Sequence, residues 1–213
     1  MEISSDEVSS EVEVSSDEAS SEIEDSNDDE ISSDIESSEV ESSSDEEIWG
    51  SGASLGLEFT LSADGTYYSV TGIGRQADFE IVIPASYKGL PVMEIGDRAF
   101  ESCYLMEVII PDSVTSIGDG VFYQLAYLTE VVIPDSVISI EYYAFSSCDC
   151  LTEIIIPDSV TSIGNSAFEH CWRLTSITFK GTVEEWNAIK KGYRWNYEVP
   201  ATEVVCSDGT VAL

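Results

Sequence analysis

The chain has 213 residues, 43% of them hydrophobic, and a net charge of −34 from 42 acidic and 8 basic residues, which is enough apolar material for one or two cored domains. So acidic a chain repels phosphate, and nucleic-acid binding by its overall field is excluded. It contains no run of eighteen apolar residues, so no transmembrane helix and no membrane insertion are expected.

The opening "MEISSDEVSS" lacks the basic and apolar regions of a secretory signal. The expectation is a protein kept inside the cell, or a mature or partial form of a longer secreted one. Residues 1–47 hold 20 acids and no base, which leaves 22 acids and 8 bases for residues 48–213. This first segment is nearly all Ser, Asp and Glu. Ordering a residue costs about 1–2 kcal/mol of backbone entropy, and so few apolar groups cannot offset that while the charges repel. We read it as a disordered acidic tail acting as a solvated spacer. The "SSDE" at Ser4–Glu7 and Ser15–Glu18 also suits an acid-directed serine kinase or divalent cations.

Residues 48–77 read as an N-terminal cap. "GLEFTLSADGTYYSVTGIG" alternates on both sides of "ADGT", which predicts a hairpin covering the first coil of a repeat. "GIGRQ" at Gly72–Gln76 precedes no helical pattern and has no phosphate-binding lysine, so it is a turn.

From residue 78 to 180 the chain repeats itself. Pro84, Pro111, Pro134 and Pro157 recur with Phe100, Phe122, Phe145 and Phe168, at a spacing that settles at 23 residues. In each of the four copies a segment such as "EVVIP" has period two and β-branched residues, so Val131 and Ile133 face inward and Glu130 and Val132 outward. Proline ends this strand, and "PDS" makes a turn in which Asp can hydrogen-bond the backbone ahead. "SVTSIG" is a second short strand. "NSAFEHC", with Asn165 as a candidate N-cap, predicts one helical or 3₁₀ turn that sends Phe168 into the core. One copy cannot bury its own apolar face, whereas copies stacked at about 4.8 Å can, as parallel ladders of a solenoid.

"LTEIIIPDSVTSIGNSAFEHC" is similar, nearly position by position, to the BspA-like (Treponema-type) leucine-rich repeat of bacterial and protist surface proteins. That resemblance implies a leucine-rich-repeat-like solenoid, a secreted or cell-surface location, and attachment to host or matrix proteins.

Residues 181–213 read as a C-terminal cap. Thr182 and Glu185 have capping-box spacing, Trp186 and Ile189 share a helical face, and Gly192 can stop the helix. "VPATEVVCSDGTVAL" closes as strand, turn, strand, and this ending resembles that of such repeat proteins of gut Firmicutes, more loosely than the repeats do.

Candidates for chemistry are few. The one histidine, His170, falls where other copies have Ser102 or Ser147, so it is read as a surface residue. Without a second histidine no general-base pair forms around it, and no catalytic residue, cofactor or enzyme activity is expected. Cys103, Cys148 and Cys171 each follow the repeat Phe by three residues, at a site that holds Leu125 in the second copy. They are read as small buried hydrophobes and not as metal ligands, because no paired zinc spacing recurs. Lys180, Lys190, Lys191, Arg194 and Arg173 gather five of the eight bases near the C-terminal cap, where they suit a helix end or a docked acidic tail.

The outward face of the first strands is the candidate partner-binding face. Glu80, Glu107, Glu130 and Glu153 should form a column ending in Ser176, and Val82, Ile109, Val132 and Ile155 a neighbouring column ending in Thr178. An exposed β-branched stripe bordered by acids has the character of a contact surface. The expectation is a monomeric, non-enzymatic binding or adhesion module for a protein partner, with a passive spacer as the alternative.

Overall fold

The computed structural model describes residues 53–74 and 79–213; the acidic tail and the Arg75–Gln76 part of the "GIGRQ" turn lie outside these residues. The described chain winds as a β-solenoid. A hairpin opens it, with β1 (Leu57–Leu61) antiparallel to β2 (Tyr68–Ile73). Asp64 fixes the turn by accepting from the Ser62 and Thr66 hydroxyls and the Thr66 N–H, bonds that lower its carboxyl pKa. The hairpin then joins the solenoid, because β2 pairs in parallel with β5 (Leu90–Ile95), which also takes the two-residue strand β4 (Ser86–Tyr87).

Two strand ladders run through the coils. First strands are β3 (Glu80–Val82), β6 (Glu107–Ile109), β8 (Glu130–Val132), β10 (Glu153–Ile156), β12 (Ser176–Phe179) and β14 (Glu203–Cys206). Second strands are β5, β7 (Ser116–Ile117), β9 (Ser139–Ile140), β11 (Ser162–Ile163) and β13 (Lys190–Lys191), paired in parallel in that order. The motif spacing reads as four copies, but six first strands are present. The last two coils lack the proline and phenylalanine signals by which copies are counted.

A third ladder joins the coils without regular strand geometry. Within the turn region, alternate N–H groups close i→i−3 turns, as from Ala99 to Gly96, Glu101 to Arg98 and Cys103 to Phe100. The intervening N–H groups of Arg98, Phe100 and Ser102 donate to Asp119, Val121 and Tyr123 of the next coil. This alternation places Arg98, Ser102, Gln124, Tyr143, Ser147, Ser166, His170, Arg194 and Glu198 at φ between 55° and 63°. The expected helical or 3₁₀ turn is therefore drawn as overlapping turns with left-handed residues, and the intervening backbone donors bond between coils. Asn165 caps no helix; its Oδ1 accepts from the Tyr193 N–H of the following coil.

The "PDS" turns also depart from expectation. Serine, not aspartate, makes the bond: Ser136 and Ser159 hydroxyls donate to the Val114 and Val137 carbonyls of the preceding coil. Proline's carbonyl accepts from the valine three residues on, at Val114, Val137 and Val160. Ser113 has no such partner and its buried hydroxyl is left unpaired.

The core is a set of stacked columns. Phe100, Phe122, Phe145 and Phe168 are fully buried, with successive ring centroids 5.9, 4.9 and 5.3 Å apart. Ile117, Ile140 and Ile163 form one buried row, and Val114, Val137 and Val160 another. At the far end α1 (Val183–Ala188) carries the capping box of Thr182 and Glu185 and buries Trp186 against Phe179. Gly192 does not stop this helix, which ends at Ala188; its N–H donates to Ile163 and its α-carbon lies against the Asn165 backbone. An antiparallel pair, β14 with β15 (Gly209–Ala212), closes the described chain.

Candidate binding face

Period-two alternation in the first strands turns one side chain in and the next out, and parallel pairing places equivalent residues side by side. Glu80 pairs with Glu107 and Glu107 with Glu130, while Val82 pairs with Ile109 and Ile109 with Val132. In the next sheet Glu153 pairs with Ser176 and Ile155 with Thr178, which pairs in turn with Val205. The expected single column is thus divided. β3, β6 and β8 form one sheet, and β10, β12, β14 and β15 another, with β8 and β10 side by side but unladdered.

All ten predicted residues lie on the outward face. Glu80, Glu130 and Glu153 are exposed and Glu107 is half-buried. Val132 is 62% exposed, Ile155 46% and Ile109 42%, whereas Val82, Ser176 and Thr178 are half-buried. Adjacent carboxylates at a strand spacing near 5 Å repel by about 1 kcal/mol in water. Exposure keeps that cost low.

The structure adds residues that strand alternation does not predict. Tyr104 and Tyr127 stand three residues before the glutamates of their strands, strongly exposed, with rings 5.9 Å apart. Phe79 and Met106, each directly before a glutamate, are exposed as well. Val205 continues the apolar column beyond Thr178. A sequence signal for the tyrosines existed in their shared offset from Glu107 and Glu130. Their offset from the repeat phenylalanine differs by one residue, which hides the correspondence.

Outside this face, Cys148 and Cys171 are fully buried thiols and Cys103 is half-buried. Each buried thiol donates to the phenylalanine carbonyl of the preceding coil, Cys148 to Phe122 at 3.2 Å and Cys171 to Phe145 at 3.1 Å. Burial pushes the Cys171 thiol up to about 12 and that of Cys148 well above its ordinary value. Since only the thiolate attacks alkylating agents, iodoacetamide at pH 8 should leave both unmodified in native protein and label both after unfolding, read by mass spectrometry. Cys171→Val should cost under about 1.5 kcal/mol, because the Phe145 carbonyl keeps the Cys148 N–H. Rapid native labelling of either thiol contradicts the stacked-column reading.

His170 is half-exposed, stacked on Trp172 at 5.1 Å, with Nε2 3.3 Å from Glu198. Its neighbours are carboxylates and aromatic rings. Three of the five clustered bases have local partners: Lys180 with Asp135, Arg194 with Glu169 at 3.5 Å, and Lys191 with the Trp186 and Ile189 carbonyls at the end of α1. Burial lowers the Lys191 pKa. Among the described residues no group of three His, Cys, Asp or Glu side chains could hold a metal, and no helix is long and apolar enough to cross a membrane.

Comparisons with known proteins bear on the repeat. A family described as "BspA type Leucine rich repeat region (6 copies)" matches residues 91–189. Among solved structures, a leucine rich repeat protein of T. pallidum is 27% identical, with a TM-score of 0.63 over 70% of this chain and 68% of that one. A leucine-rich repeat protein from Bacteroides capillosus is 33% identical, with a TM-score of 0.54 over 59% of this chain and 95% of that one. A leucine rich cell surface protein from Faecalibacterium prausnitzii is 28% identical, with a TM-score of 0.55 over 65% of this chain and 41% of that one. No curated protein matches the chain.

Proposed function

Because the chain belongs to the BspA-type leucine-rich repeat family, we propose that it is a non-enzymatic protein-binding module that works through the strand face of its solenoid. The carrying observation is the exposed apolar column of Ile109, Val132 and Ile155 beside the paired glutamates. Tyr104 and Tyr127 enlarge it with aromatic area, the residue type that dominates interface energetics. A fitting partner is a basic, partly apolar protein surface, and a host or matrix protein is the class we propose. The cell-surface description of the Faecalibacterium relative supports a surface or secreted setting. The acidic residues 1–47 would hold the monomeric solenoid off an anchor or a neighbouring domain.

The test uses purified extracellular-matrix proteins on a biosensor, with wild type, Glu130→Gln/Glu153→Gln and Val132→Ser/Ile155→Ser. We expect the glutamine pair to slow association and to reduce its salt dependence, because exposed charges are screened over about 10 Å at 0.1 M salt. The serine pair should raise dissociation rates about tenfold. Melting should change little for either. Equal binding by all three proteins removes the strand face as the site, and no binding by wild type favours a passive spacer.

A further inference from the structure

The turn ladder follows a rule that one coil breaks. The glycine closing each second strand donates its N–H to the coil before, from Gly96 to Val70, Gly118 to Ile95, Gly164 to Ile140 and Gly192 to Ile163. At the equivalent position stands Glu141, whose carboxylate accepts from the Ser139 hydroxyl. The pairing of β7 with β9 beside it shrinks to Ile117 with Ile140, whereas β9 with β11 keeps two pairs. The next residue is Asp97, Asp119 or Asn165 in three coils, Tyr193 after Gly192 and Tyr142 here, and then Tyr143 adopts φ 55° where Gly120 sits in the coil before. "EYY" thus replaces the glycine with a side chain and gathers two phenol rings on the turn ladder, Tyr143 in the left-handed position that Arg98, Ser166 and Arg194 also fill. A departure of one coil from its own repeat points to function.

What the exchange creates is a groove of about 360 Å³ lined by Asp97, Arg98, Asp119, Tyr123, Tyr142 and Tyr143, with Gly120 adding no side chain. Tyr143 lies against Tyr142 at 3.9 Å and faces Tyr123 at 5.7 Å. Asp97 Oδ1 accepts from the Asp119 N–H and Asp119 Oδ1 from the Tyr142 N–H, so each carboxylate keeps a second oxygen for a ligand. Arg98 is neutralised by Glu101, whose two oxygens lie 3.2 Å from its Nη1. Two carboxylates and three electron-rich rings select a cation. The same wall already holds one: Arg194, at the Tyr143 position two coils on, lies 3.6 Å over the Tyr197 ring with Nε 3.5 Å from Glu169.

We propose that the Tyr123–Tyr142–Tyr143 groove is a binding site for an arginine side chain of a basic peptide segment. It lies on the turn ladder, away from the strand face, and stands whether or not that face binds a protein. The guanidinium would lie over the phenol rings and donate to the free oxygens of Asp97 and Asp119.

The test titrates the full chain in 0.15 M salt with a fluorescein-labelled Gly-Arg-Gly-Arg-Gly peptide, the same peptide with neutral citrulline for arginine, and maltose as an uncharged polar ligand. E141G/Y142N/Y143S rewrites the groove as Gly164–Ser166, and D97N/D119N removes charge while keeping the side-chain oxygens that accept from the Asp119 and Tyr142 N–H groups. Arginine peptide should bind wild type at least tenfold more tightly than citrulline peptide, shifting the Tyr123 and Tyr143 ring resonances. Both variants should bind it at least tenfold more weakly. Equal affinity of wild type and triple variant, equal affinity for citrulline peptide, ring shifts with maltose alone, or no binding of arginine peptide to wild type each overturn the proposal.

Discussion

Phe145→Ala should lower stability by about 3–5 kcal/mol, the range for deleting a fully buried aromatic ring. The ring sits mid-column, 4.9 Å from Phe122 and 5.3 Å from Phe168, the latter pair nearly coplanar in orientation at 2°. Neither neighbour can collapse into the void, because each is held by its own coil's turn bonds to the next coil, as Phe122 N–H to Ala144 and Phe168 N–H to Trp195. For a chain of this size the melting midpoint should fall by about 10 °C. Stability in a solenoid is a sum of coil and nearest-neighbour terms, so the lesion should also broaden or divide the transition near the affected coil. Calorimetry with hydrogen exchange over the Phe122–Phe168 region checks both, and a loss under about 1 kcal/mol would contradict this packing.

Gly164→Ala should cost about 2–3 kcal/mol, in the range of overpacked sites. An added β-carbon would lie 2.6 Å from the Glu141 carbonyl carbon and the Tyr142 nitrogen, which are backbone atoms that cannot rotate away. Separating the coils to admit it stretches the Gly164 N–H bond to Ile140. Denaturant unfolding measures the loss. Gly65→Ala is the matched control: no atom lies within 4 Å of its β-carbon, so only the strain of φ 74° should register. A neutral Gly164→Ala would mean that the coils are not in backbone contact there.

The repeat was legible because its signals are local and periodic. Spacing of proline and phenylalanine, alternation in "EVVIP" and the capping box at Thr182 each act within a few residues, and the structure realises them in β8, the phenylalanine column and α1. Glycine in "SVTSIG" carries no such signal. Its requirement comes from the backbone of the neighbouring coil, 23 residues away, and not from a turn of its own. The same applies to the "PDS" serines, whose acceptor carbonyls are 22 residues distant.

The candidate face divides in the same way. Which residues of β3, β6, β8, β10 and β12 point outward follows from period two, so the ten positions were readable from sequence alone. Sequence also determined that the chain must stack, since no single copy can bury its own Val, Ile and Phe. Only the tertiary structure decided the rest: that the ladder breaks between β8 and β10, that Tyr104 and Tyr127 meet despite unequal loop lengths, and that "EYY" opens a groove against Asp97 and Asp119. The physical reason is that periodicity fixes a side chain's direction within its coil, whereas contacts across coils depend on how closely two backbones approach.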